Sequence, residues 1–239
     1  MKQSLLLYLL PFAVSVASAQ PTPERGDKFL KRIENNYSSG DIYVEADGSR
    51  HGDYNFGSKG RVERLFFGDF NAPVEYFLDP SFEASREGAI GFRVYPDSAG
   101  RQILEVKYIP NYEEAYRQLS MEYERIPYDR EFYTRFYDEL PKCFRIASKK
   151  IYIGDTLAIR LYDRIMQAVR DYASPGKPMR SNDGESVTFR GVVGHDLWTL
   201  TIRSPWGEMD KLSSLCKRII SDVRGGSLDE NTCLRQLGD

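Results

Sequence analysis

Between residues 185 and 226 the apolar and polar positions repeat with two different periods. Val187, Phe189 and Val193 share one parity, with Thr188 and Arg190 on the other; further on, Trp198, Leu200 and Ile202 alternate with Thr199, Thr201 and Arg203. Period two predicts a β-hairpin with one face buried and one face wet. Gly194-His195-Asp196 supplies its turn, since Gly tolerates positive φ and Asp bonds its own backbone. Past Ser204-Pro205 the period changes. Leu212, Leu215, Cys216, Ile219, Ile220 and Val223 then make one continuous stripe on a helix. Asp210 falls in its first turn and Arg224 in its last, as the helix dipole prefers, and Gly225-Gly226 ends it. The simplest packing lays this helix on the apolar face of the hairpin before it.

The rest of the chain gives weaker versions of the same two patterns. Ile42-Tyr43-Val44, residues 62–67 and residues 74–78 are short apolar runs bounded by Gly, Asn, Asp and Pro, and read as strands. Residues 90–95 and 103–109 form a second hairpin joined through Pro96-Asp97-Ser98-Ala99-Gly100. Helical spacing follows at Tyr112, Tyr116, Leu119 and Tyr123, with Asn111 as the expected cap, then at Phe132, Phe136 and Leu140 up to Pro141. Residues 143–153 read as a strand, and Asp155 or Thr156 caps a helix carrying Ala158, Leu161, Ile165 and Val169. Ser227 with Glu230 matches a capping box for a last helix, and residues 27–35 are expected to hold one short helix around Phe29 and Ile33.

Together these elements predict an α+β fold. A β-rich region over 20–140 ends in two aromatic-rich helices, and an α-β-β-α region over 141–239 shares its core or packs against it. Hairpin, proline and amphipathic helix occur twice in that order, with Phe92-Arg93 opening one unit much as Phe189-Arg190 opens the other. An internal ββα duplication is one reading; chance recurrence of a common arrangement is the simpler one.

Residues 1–19 change the picture of where this fold works. Lys2, an apolar core from Leu5 to Val16 and Ala17-Ser18-Ala19 form a secretory leader with an A-x-A cleavage site, bacterial in style. The expected mature chain, residues 20–239, is exported to a periplasm or secreted. It keeps 32 basic residues (33 less Lys2) against 35 acidic ones, so charge gives no reason to bind nucleic acid or an anionic membrane. No apolar run in it is long enough to span a bilayer. Three cysteines in an exported chain invite one disulfide. All three pairings are open, and Cys216–Cys233 is favoured because a short connection would fold the last helix back; three unbridged thiols are the alternative.

No catalytic, metal or cofactor motif stands out. His51 and His195 lie in turns, where solvated turn residues are the simpler reading than an acid/base, and no His/Cys pair has zinc-ligand spacing. Gly52-x4-Gly57-Ser58-Lys59 reverses the order that a phosphate-binding loop requires. Ser214-x-x-Lys217 lacks the partner motifs of serine acyl-transfer enzymes, and nothing around Cys143 marks it as a nucleophile for His195. Carboxylates are abundant, but nothing selects two of the 35; Asp69, Asp79 and Glu83 are merely loop residues of the aromatic-rich half.

The remaining ligand-binding candidate is Trp206, in Ser204-Pro205-Trp206-Gly207. It is a stacking platform for a sugar or an anchor for a protein partner, with a hydrophobic staple on its own helix as the simpler alternative. The sequence thus points to an exported, non-enzymatic binding or interaction module for a glycan or an envelope or extracellular protein. A carboxylate-dependent hydrolase of glycans or cell-envelope material is the second reading.

Overall fold

A computed structural model describes residues 31–33, 40–45, 62–63, 65–67, 72–80, 88–124, 130–172, 185–193 and 196–238. The expected leader, both histidines and residues 52–59 lie outside them.

The fold is α+β, an antiparallel sheet packed with several helices. Its strands are β1 (Lys31–Ile33), β2 (Gly40–Glu45), β3 (Val74–Asp79), β4 (Ile90–Pro96), β5 (Gln102–Tyr108), β6 (Ala147–Tyr152), β7 (Ser186–Val193) and β8 (Asp196–Arg203). Six of them form the body of the sheet in the order β8-β7-β3-β4-β5-β6, and β2 followed by β1 extends it beyond β8. The helices are α1 (Tyr112–Tyr123), α2 (Arg130–Glu139), α3 (Asp155–Asp171), α4 (Glu208–Gly225) and α5 (Glu230–Gly238).

Both predicted hairpins form, as β4–β5 and β7–β8, and β3 lies between them, paired with β4 on one side and β7 on the other. Alternation sorts the side chains as period two requires. Tyr76, Phe92, Leu104, Val106, Phe189 and Leu200 are fully buried on one face and share the main core with α3, α4 and α5. A second, aromatic cluster joins α1 to α2: Tyr116 meets Phe136 edge-on at 5.4 Å, and Tyr123 meets Phe132 at 5.5 Å. The Tyr-rich stripe is therefore a packing seam.

The helix that covers the β7–β8 hairpin is not the one expected. α3 packs on β7, with Tyr162 Oη donating to the Val192 carbonyl at 2.9 Å. Met166 lies over Gly191, whose missing side chain makes the room: a Cβ there would stand 2.1 Å from the Met166 sulfur. α4 instead crosses the sheet towards β4, β5 and β6. Ser213 hydrogen-bonds Tyr76 at 2.8 Å where the helix passes β3, and the Arg224 guanidinium sits 4.4 Å from the Tyr108 ring centre at its far end. The α4 stripe is as expected; α3 already occupies the neighbouring ground.

Several local expectations also shift. Residues 62–63 and 65–67 are helical rather than extended, because a short apolar run does not distinguish the two by periodicity. Lys31–Ile33 forms a strand paired with β2, not a helix. Leu140–Cys143 is a 3-10 turn, so β6 starts at Ala147 and Cys143 is exposed rather than in a strand core. Asn111 precedes α1 but makes no cap hydrogen bond; its amide joins the Cys143 carbonyl and the Arg145 N–H, at 3.0 and 2.8 Å. Gly154, not Asp155 or Thr156, is the N-cap of α3, and its N–H is held by the Glu230 carboxylate at 3.0 Å. With Glu230 engaged there, Asp229 does the capping of α5, accepting from Asn231 N at 3.0 Å and from Thr232 Oγ1 at 2.6 Å.

Candidate functional site

The central part of the sheet's polar face is buried, contrary to the expectation of a wet one, while Lys150 and Arg203 at its margins are exposed. Thr188, Arg190, Thr199, Glu75 and Glu105 are all buried on it. Strand register places six polar side chains in one row across six strands: Thr199, Arg190, Glu75, Arg93, Glu105 and Lys150. From Arg190 onward the charges alternate in sign, so each carboxylate lies between two cations, the arrangement in which cross-strand neighbours attract.

The contacts follow that row. Arg190 donates through Nη1 to Glu75 Oε2 at 3.0 Å and through Nε to Thr199 Oγ1 at 3.2 Å, and Nη2 reaches Glu63. Three directions of one planar guanidinium are thus engaged, a geometry that Lys does not reproduce. Arg93 Nε donates to Glu105 Oε2 at 2.7 Å, while Ser148 Oγ and Lys150 Nζ lie 2.9 and 3.6 Å from Glu105 Oε1.

Residues 62–63 and 65–67 cover this row. Glu63 brings a carboxylate to Arg190, the Phe66 carbonyl accepts from Lys107 Nζ, and the Phe67 ring lies 5.5 Å from the Arg93 guanidinium and 5.3 Å from Lys107 Nζ. Phe66 also packs edge-on against Phe77 at 5.4 Å. Gly91 lets the Phe67 ring approach, since a Cβ there would stand 3.0 Å from it.

The two carboxylates of the row differ electrostatically. Burial drives the Glu75 carboxyl up from its ordinary 4.5 to about 7, more than the charge and hydrogen bond of Arg190 hold it down. Its Oε1 is buried without a hydrogen-bond partner. For Glu105 burial also pushes upward, but hydrogen bonds from Arg93 and Ser148 outweigh it and hold the carboxyl below its ordinary value. Chemically, Glu75 has the character of a general acid near neutrality. Its position is not that of one: it is 1% exposed, with Glu63 and Arg190 packed around it.

None of these groups was singled out from the sequence as a site. The available signal was the charged residue inside each apolar run: Glu75, Arg93, Glu105 and Arg190 all sit at the polar parity. The repeated Phe-Arg pair also acquires a physical reading. Phe92 and Phe189 flank Tyr76, with ring centres 5.7 and 5.4 Å away, and Arg93 and Arg190 flank Glu75. Both pairs serve β3.

The residues that were singled out do not converge. Trp206 is 49% exposed beside α4, in a loop where Ser204 takes φ of 51° and Gly207 φ of 59°. Ser204 N–H is held by the Glu185 carbonyl at 2.8 Å. Cys216 and Cys233 are buried in the main core and Cys143 is exposed, all three as free thiols; burial pushes the Cys216 thiol well up. Lys217 pairs with Glu185 at 2.7 Å, away from any nucleophile role for Ser214. Asp79 ends β3 opposite Ser186, while Asp69 and Glu83 lie outside the described residues. Among the described residues no three metal-binding side chains cluster, and no helix is long and apolar enough to cross a membrane. No protein-family model, curated protein or solved structure matches the chain.

Proposed function

We propose that this chain is an exported, non-enzymatic binding module acting in a periplasm or outside the cell, with a glycan or an envelope or extracellular protein as partner. The observation that carries the reading is Trp206. A large aromatic side chain is left half exposed on a loop whose backbone adopts a left-handed conformation at a non-glycine residue, Ser204. Such a conformation costs of order 1–3 kcal/mol and persists where the surroundings enforce it. An exposed tryptophan in a fixed loop suits stacking on a sugar or anchoring in a partner's pocket. The leader over residues 1–19 supports export.

The test is thermal unfolding of residues 20–239 against glycans, cell-wall fragments, nucleotides and divalent metals. A ligand at about 100 times its Kd adds about 2.7 kcal/mol, which raises the midpoint of a chain this size by roughly 5–10 °C. The reading requires a shift with a glycan, or capture of an envelope protein, that Trp206→Ala abolishes; binding unaffected by that substitution removes Trp206 from the reading.

A second reading, a carboxylate-dependent hydrolase, draws on the Glu63–Arg190–Glu75 cluster and the raised Glu75 carboxyl. It requires hydrolysis of the same panel that Glu75→Gln abolishes while the fold survives.

A further inference from the structure

Among the described residues β6 is the outermost strand on its side of the sheet, and its backbone polarity is fixed by register. Ile153 N–H donates to the Gln102 carbonyl at 3.1 Å, in line with the pairing of Ile103 with Tyr152 and Leu104 with Ile151. In an antiparallel ladder alternate residues face the neighbouring strand. Ala147, Lys149, Ile151 and Ile153 therefore bond to β5, and Ser148, Lys150 and Tyr152 direct their N–H and C=O groups away from the sheet. Among the described residues no strand lies beyond β6, and those three residues are exposed.

The edge strand itself is positively charged. From residue 140 to 154 the chain carries Lys142, Arg145, Lys149 and Lys150 and no carboxylate, and of these Arg145 is paired with Glu114 at 3.0 Å. Lys149 Nζ is held by the Arg224 carbonyl at 3.1 Å, a neutral partner. Lys150 lies 3.6 Å from Glu105, which also accepts from Arg93 and Ser148. At the end of the strand Tyr152 is 56% exposed, and Arg101 holds it from the side, its guanidinium 4.2 Å from the ring centre and donating to the hydroxyl at 2.7 Å.

We propose that β6 accepts an extended acidic segment of a partner protein as an added strand, paired through Ser148, Lys150 and Tyr152. Main-chain hydrogen bonds supply the pairing and the lysines select the charge, while the held Tyr152 ring offers an aromatic anchor. An acidic partner is preferred to a second copy of this chain, because antiparallel self-pairing of β6 centred on Lys149 or Lys150 sets like charges directly opposite, which is destabilising. The inference rests on the binding-module reading and names the partner chemistry for a protein ligand.

The probe is a capped hexapeptide of alternating Glu and Val, with the same peptide carrying Lys for Glu as control, titrated into the full chain by calorimetry. The acidic peptide binds saturably and loses affinity as salt rises from about 0.05 to 0.5 M, and the lysine peptide does not bind. Ser148→Pro removes one outward N–H and leaves the inner backbone ladder in place, and weakens binding by about tenfold or more, whereas Ser148→Ala, which loses only the Oγ bond to Glu105, leaves binding unchanged. Joint Lys149→Glu and Lys150→Glu reversal transfers the preference to the lysine peptide, and decides the matter alone if the proline variant does not fold. Absence of acidic-peptide binding, unchanged affinity in Ser148→Pro, or a dimer formed through β6 overturns the proposal. Failure of the peptide together with a glycan shift in the thermal panel removes the β6 edge and leaves the binding-module reading standing.

Discussion

At the scale of single residues, Glu75 and Arg190 show how one buried row is both stabilised and penalised. The native state holds a proton on Glu75 up to about pH 7, whereas the unfolded chain releases it near 4.5. In that window the native state binds more protons, so this group's contribution is most favourable below pH 4.5 and is lost as pH rises through 7. Glu75→Gln keeps an acceptor for Arg190 and removes the titration. Urea unfolding between pH 4 and 8 is expected to show a downward slope in the parent that flattens in the variant; equal slopes would remove Glu75 as its source. Arg190 is the opposite case. Arg190→Met leaves Glu63, Glu75 and Thr199 buried without this shared donor and costs about 3–5 kcal/mol by the same assay. Arg190→Lys recovers only part of that, since a single ammonium does not serve Glu63, Glu75 and Thr199 together.

At the scale of elements, the hairpins and helix stripes are legible because apolar and polar residues largely alternate along β7 and β8 and because α3 and α4 each keep one apolar stripe. Partners were less legible. The α4 stripe is the same whichever half of the sheet it meets, and the competing claim of α3 depends on Met166 fitting over Gly191, a contact between residues far apart in the chain. Gly191→Ala forces that sulfur aside and costs about 1–3 kcal/mol. Combination with Met166→Ala should recover part of the loss, measured as a non-additive double-mutant cycle; strict additivity would deny the contact. Asn111 gives a second example, for its position before α1 was readable and its work was not. Its amide ties the 3-10 turn before β6 to the start of α1, so Asn111→Ala leaves the Cys143 carbonyl and the Arg145 N–H without it and costs about 1–3 kcal/mol in thermal unfolding. The buried centre of the polar face was hidden for a related reason. Arg190 and Thr199 at polar parity look alike in sequence whether water or residues 62–63 and 65–67 lie above them.

At the scale of the whole molecule, the strongly perturbed carboxylate is enclosed, and the reachable features are Trp206 on its loop and the backbone of β6. The central claim is that this molecule works by association, with β6 an unfilled place in its sheet. Residue-resolved amide exchange on the free chain tests it most directly. The account predicts alternation along one strand: the amides of Lys149 and Ile151 protected, those of Ser148, Lys150 and Tyr152 exchanging about tenfold faster or more, and these three becoming protected when the acidic peptide is added. Uniform protection of β6 in the free chain would mean that the edge is already covered, and would contradict it.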